Sequence, residues 1–151
     1  MNLTTRNWLQ RKVAIVNGVT ESSGVVHAVE PVDSPRLLPL KLSQKTACNG
    51  EALSDVSCTH ATVLSEISNS EHEITVFVGE CGMGADGFVA VEELNTKKLR
   101  WIAFFDFSNP FYSVAIEKNF ILVTNNLSEE WQFAVDSPWE IEIVAAPHNV
   151  W

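Results

Sequence analysis

Between Ile74 and Val144 apolar and polar positions alternate in short runs: ITVFVGE, GFVAVEE, LRWIAFFDF, FYSVAIE, FILVT, EWQFAV and WEIEIV. A period of two predicts strands, and the brief polar breaks between runs predict an antiparallel meander. Ile74, Val76 and Val78 share one strand face, with Thr75 and Phe77 on the other. In Leu99–Phe107 both faces are apolar: Leu99, Trp101, Ala103, Phe105 and Phe107 on one side, Ile102 and Phe104 on the other. That pattern predicts a central strand covered twice. Trp131, Phe133 and Val135 alternate with Gln132 and Ala134, and Trp139, Ile141 and Ile143 with Glu140 and Glu142, as half-buried strands do. Turns are expected at Ser108-Asn109-Pro110, Glu117-Lys118-Asn119, Asn125-Asn126 and Asp136-Ser137-Pro138. In the polar run Glu92–Lys98, Asn95 is the expected positive-φ residue.

Upstream the pattern is weaker. Residues 1–10 read as a loosely held arm that Trp8 and Leu9 can pin to the core. Val13–Val16 closes on Asn17-Gly18, a favoured hairpin turn, with a wider turn over 17–24 as the alternative before a strand at Val25–Val29. Pro31, Pro35 and Pro39 make 30–40 a loop or a poor edge strand. Leu37, Leu38, Leu40 and Leu42 there can cover a core edge. Residues 43–57 suggest one or two helical turns starting near Asn49. Thr59–Ile67 reads as a strand, with a helix as the alternative, and Trp151 as an exposed end or a cap over the core. The expected fold is mainly β, with α+β as the variant. It is one β-rich domain over 1–151, whose antiparallel 74–144 scaffold forms a sandwich or partly open barrel with at most one or two short helices.

A chain of 151 residues suits one hydrophobic core. The net charge of −9 is unevenly spread: residues 1–50 carry +3 and residues 51–151 carry −12. An acidic field of this kind disfavours nucleic acid or an anionic membrane as primary partner and suits a basic protein. Three cysteines, Cys48, Cys58 and Cys81, make no secreted disulfide framework. Reduced thiols are the simpler reading, with a Cys48–Cys58 pair as the alternative. No signal-peptide core and no apolar run of about 18 residues is present, which leads to the expectation of a cytoplasmic protein.

Candidate chemistry is sparse. The glycines of GECGMGADG, residues 79–87, match neither a P-loop nor a dinucleotide-binding spacing, and Glu80 and Asp86 would repel phosphate. A bulged hairpin connection explains them better. Cys81 as a nucleophile would need a base brought by folding, from His27, His60, His72 or His148. Glu71-His72-Glu73 and the Cys58/His60 pair lack the second half of a metal site, so neither a metal nor a cofactor is expected. The acid pairs Glu92/Glu93 and Glu129/Glu130 read as solvated turn residues. Asp106, near the end of an apolar strand, is the best candidate for a carboxylate shifted by burial. Trp101, Phe105, Trp131, Phe133 and Trp139 fit core positions, whereas Phe111 and Tyr112 are the aromatics best placed for a surface.

Small, acidic, β-rich and without a catalytic motif, the chain resembles in outline the bacterial immunity proteins that neutralise toxic nucleases. The resemblance is one of type and carries over no residue. It implies a protein-binding module that sets acidic residues against a basic toxin or nuclease. Glu92, Glu93, Glu129, Glu130, Asp136, Glu140, Glu142 and Tyr112 are the partner-binding candidates. The alternatives are a ligand-binding β barrel or sandwich, a subunit of a larger assembly (a homo-oligomer included), and an enzyme of unfamiliar type using Cys81 or Asp106.

Overall fold

A computed structural model describes residues 2–48 and 56–147. Among the described residues the elements in chain order are helix α1 (Leu3–Leu9) and thirteen strands. They are β1 (Lys12–Ala14), β2 (Gly18–Glu21), β3 (Val26–Val29), β4 (Leu40–Lys41), β5 (Gln44–Cys48), β6 (Cys58–Asn69), β7 (Ile74–Cys81), β8 (Gly87–Glu93), β9 (Leu99–Phe105), β10 (Phe111–Glu117), β11 (Phe120–Asn125), β12 (Glu129–Ala134) and β13 (Ile141–Ala145). They form an eight-stranded sheet, β1-β6-β7-β8-β9-β2-β3-β5, and a five-stranded sheet, β10-β11-β12-β13-β4. All pairings are antiparallel and neither sheet closes into a barrel, so the mainly-β expectation resolves as a sandwich.

The period-two pattern fixes which side chains meet between the sheets. Val76, Val78, Val89, Val91, Trp101, Ala103 and Phe105 from the large sheet pack against Ile121, Val123, Trp131, Phe133, Ile141 and Ile143 from the small one. Phe105 and Trp131 lie at its centre, ring centroids 4.8 Å apart. Burying aromatic rings of this size is the main driving force for closing the two layers.

The outer face of the large sheet carries a second apolar cluster: Trp8, Val13, Phe88, Ala90, Leu99, Ile102 and Phe104. Strand β9 is thus covered twice, as its sequence predicts. A register shift between Val91 and Glu92 moves Leu99 to the outer cluster, away from the face of Trp101. The cover is α1. Where the sequence reads as an arm, Asn2 caps a helix by accepting from the Thr5 amide at 3.0 Å, and Trp8 is only 1% exposed. Leu9 points away from the core.

Other differences from the sequence have local causes. Asn17-Gly18 is not a hairpin turn, because β1 pairs with β6 and β2 with β3. Gly18 instead starts β2 at φ 142°, where a Cβ would strike the carbonyl oxygen of His27. The hairpin turns between Glu21 and Val26. Strand β5, unmarked in the sequence, pairs with β3. The helical turn expected near Asn49, the side chain of Cys48, and His148 and Trp151 lie outside the described residues. In the Glu92–Lys98 connection Lys97, not Asn95, takes positive φ. Glu71-His72-Glu73 forms a turn, with Glu73 at φ 57°. Residues 30–39 form a loop, and β4 that follows is a two-residue edge of the small sheet. Among the described residues no helix is long and apolar enough to cross a membrane.

Candidate functional site

Because Ile121, Val123, Trp131, Phe133, Ile141 and Ile143 point inward, their neighbours on β11–β13 must point out. Registers then fix rows across the outer face of the small sheet. One row runs Ala115, Leu122, Gln132, Glu142, Lys41, and the next Glu117, Phe120, Ala134. Glu130 pairs with Thr124 on one side and Val144 on the other. Phe120 stands 46% exposed as a ridge between two concavities. One, of about 660 Å³, runs from Lys41, Leu42 and Gln44 past Trp139, Glu140 and Glu142 to Phe120. The other, of about 310 Å³, lies between Glu117, Lys118, Glu130, Pro147 and the same Phe120, and Gln132 lines both.

Carboxylates dominate this face. Gln132 Nε2 donates to Glu130 Oε2 at 2.8 Å and Ser137 Oγ to Glu140 Oε2 at 2.8 Å. Among the described residues the ion pairs are His27–Glu21, Arg36–Glu129 and Lys45–Glu30, so Glu117, Glu130, Glu140 and Glu142 have no cationic partner. Lys41 and Lys118 on the same face are likewise free of ion pairs.

Of the acids singled out in the sequence, Glu130, Glu140 and Glu142 come together here. Asp136 is exposed in the β12–β13 connection, next to Val135, whose amide donates to Asn119 O at 2.9 Å in the neighbouring turn. Glu93 lies elsewhere, at the end of β8, taking the Thr96 hydroxyl at 2.7 Å. Tyr112 is exposed on the edge strand β10, and Phe111 beside it is fully buried, contrary to the surface position expected for it.

Glu92 and Glu129 are not solvated turn residues. Glu92, 7% exposed, accepts from Trp8 Nε1 at 2.7 Å. Glu129, 4% exposed, takes Arg36 Nε and Nη2 at 2.7 and 2.8 Å, Asn125 Nδ2 at 2.8 Å and Trp131 Nε1 at 3.3 Å. Burial alone would push the Glu129 carboxyl up. The hydrogen bonds from Arg36, Asn125 and Trp131, with the Arg36 charge, outweigh burial and hold it below its ordinary 4.5. Neither residue can face a partner. Their partners lie 84 and 93 positions away, so no local pattern marks them as buried.

The remaining chemical candidates resolve as structure. Asp86 is fully buried and caps the 79–87 hairpin, accepting from the amides of Cys81 and Met83 at 3.0 Å each. Burial first, then the charges of Asp86 and Glu80, push the Cys81 thiol up to about 12, the reverse of what a nucleophile requires. Cys58 and Cys81 are free thiols, Cys58 exposed. Asp106 is exposed rather than buried, its Oδ1 accepting from Asn17 Nδ2 at 3.1 Å. Among the described residues no group of three or more His, Cys, Asp or Glu is placed to hold a metal ion.

No protein-family model matches this chain, and no curated protein or solved structure matches it either.

Proposed function

We propose that the chain is a small cytoplasmic protein-binding module that receives a basic partner on the outer face of the five-stranded sheet. The observation that carries this is the set of Glu117, Glu130, Glu140 and Glu142, unpaired around an aromatic ridge at Phe120. Carboxylates left without internal cations supply a field that steers a basic protein and rejects acidic ones. A half-exposed ring among them supplies the apolar anchor that interfaces favour. The face rests on a rigid sheet, so little ordering opposes docking. An inhibitor of a basic toxin or nuclease, the immunity type, is the particular form this takes.

The test is capture from the source cell with the wild-type chain and with the triple variant E130K/E140K/E142K. Basic proteins retained by the wild type and lost by the variant support the proposal. Identical captures reject it.

The concavity of about 660 Å³ also suits a small ligand, since such sites span roughly 300–1,000 Å³. Its open, carboxylate-lined shape favours a protein partner.

A further inference from the structure

Behind the larger concavity lies a buried histidine. His27, in β3, is 7% exposed. Its ring stacks on Trp139, centroids 3.9 Å apart and planes 10° from parallel. Its Nε2 lies 2.8 Å from Glu21 Oε2, and its Nδ1 lies 3.2 Å from Gln44 Nε2. Trp139 and Gln44 both line the groove. One buried imidazole therefore holds two groove-lining side chains, and its remaining nitrogen faces a carboxylate.

The partners define the proton positions. An ionised carboxylate can only accept, so Nε2 carries the hydrogen facing Glu21. Nδ1 is then bare and accepts from the Gln44 amide nitrogen. In that state the Gln44 carbonyl oxygen is turned away from the ring.

We propose that His27 is a proton-operated clasp on the wall of this groove: a proton on Nδ1 turns the Gln44 amide over and reverses what that side chain shows to the groove. A protonated Nδ1 can only donate, so Gln44 must turn its Oε1 to the ring and its NH₂ away. An acceptor in the groove wall becomes a donor. Trp139 keeps its place, because an imidazolium over an indole face is attractive and Glu21 stabilises the new charge.

The charged surroundings are few. Strand β3 holds no other ionisable side chain. From β2 comes Glu21, its side chain 36% exposed. From β5 comes Lys45, paired with Glu30 at 3.5 Å. Beyond Trp139 stands Glu140, and across the groove Lys41 and Glu142. Of these groups, Glu21 alone touches the ring among the described residues. The functional consequence rests on the proposed recognition of a basic partner: a donor amide and a new positive charge oppose such a partner, so mild acid loosens binding.

Side-chain NMR of the full chain from pH 8 to pH 5 tests the clasp without any ligand. The Gln44 amide and the Trp139 indole N–H are expected to shift with the same midpoint as the His27 ring. In H27F, which keeps a ring against Trp139 but has nothing to titrate, both shifts vanish. A Gln44 amide that stays flat while His27 titrates overturns the clasp, as does a Gln44 shift that persists in H27F. The wild-type titration decides the matter even if H27F fails to fold. A hexa-arginine peptide supplies the second arm. It is expected to bind the wild type several-fold more weakly at pH 5.5 than at pH 7.5, and H27F equally at both. Equal wild-type binding at the two pH values overturns the functional consequence. No binding at either value overturns recognition of a basic partner, and the clasp then stands or falls on the Gln44 titration.

Discussion

Arg36 grips both carboxylate oxygens of Glu129, Nε to Oε2 at 2.7 Å and Nη2 to Oε1 at 2.8 Å, with the two side chains 1% and 6% exposed. The guanidinium also donates to the backbone carbonyls of Val32 and Phe107 and lies 5.7 Å from the Trp131 ring centroid. The pair ties the proline-rich 30–39 loop to β12 in the small sheet. Removing the carboxylate leaves a buried guanidinium unpaired, so E129A is expected to cost about 3–5 kcal/mol. Replacing both, as in R36M/E129L, is expected to cost less than the sum of the single changes. Urea denaturation of the wild type, E129A, R36M, E129L and R36M/E129L measures both quantities.

The same pair sets an acid dependence. The folded Glu129 carboxyl lies below the ordinary 4.5, so its pairing stabilises the fold fully above the unfolded value. That contribution is lost as pH falls through the lower folded value. Unfolding midpoints of wild type and E129Q are expected to converge as pH drops from 5 to 3. A gap that stays constant would show that the carboxylate charge is irrelevant there.

The contact of Trp8 with Glu92 makes a second long-range prediction. W8A strips the cover from the outer cluster and is expected to cost about 3–5 kcal/mol. W8F keeps most of the packing but leaves the Glu92 carboxylate without the indole donor, for about 1–3 kcal/mol. E92Q retains an oxygen acceptor and is expected to be milder. Thermal melts rank the three. The order W8A, W8F, E92Q from worst to best is the expected one.

These two acids show where sequence legibility stops. The alternation in Glu129–Ala134 encodes that strand and its buried face directly, because a period of two is a local property. Glu142 is legible as an outward residue for the same reason, whereas Glu130, read as a turn residue, lies within β12. The burial of Glu92 and Glu129 depends on Trp8 and Arg36, which only the folded topology brings near. The stacking of His27 in β3 on Trp139 in the β12–β13 connection is equally hidden. Strand β5 escaped because QKTAC has no apolar alternation and is held by backbone pairing with β3.

Thiol chemistry gives an independent check on the hairpin at 79–87. Cys81 is buried with its thiol pushed up to about 12, while Cys58 is exposed. At pH 8 in native buffer, iodoacetamide is expected to label Cys58 and spare Cys81. In denaturant both are labelled, as peptide mass spectrometry will show. Fast native labelling of Cys81 would mean that the Asp86 cap opens readily.

The outward acids of the small-sheet face should act on association rather than on stability. The single variants E130K, E140K and E142K are expected to shift the unfolding midpoint little, since surface substitutions usually stay within about 0.5 kcal/mol. Together they are expected to weaken a basic partner by about tenfold or more, mostly through its association rate. Raising salt from 0.05 to 0.5 M should slow wild-type association and affect the triple variant much less. E93K, on the other sheet, serves as the control and should leave binding intact.

The most direct measurement is hydrogen–deuterium exchange of the chain alone and in complex with the captured partner. New protection across 115–145, centred on the Phe120 ridge and the strands bearing Glu130 and Glu142, is the expected result. Protection confined to α1, β1 or β6, with 115–145 exchanging as in the free chain, would contradict the proposed recognition face.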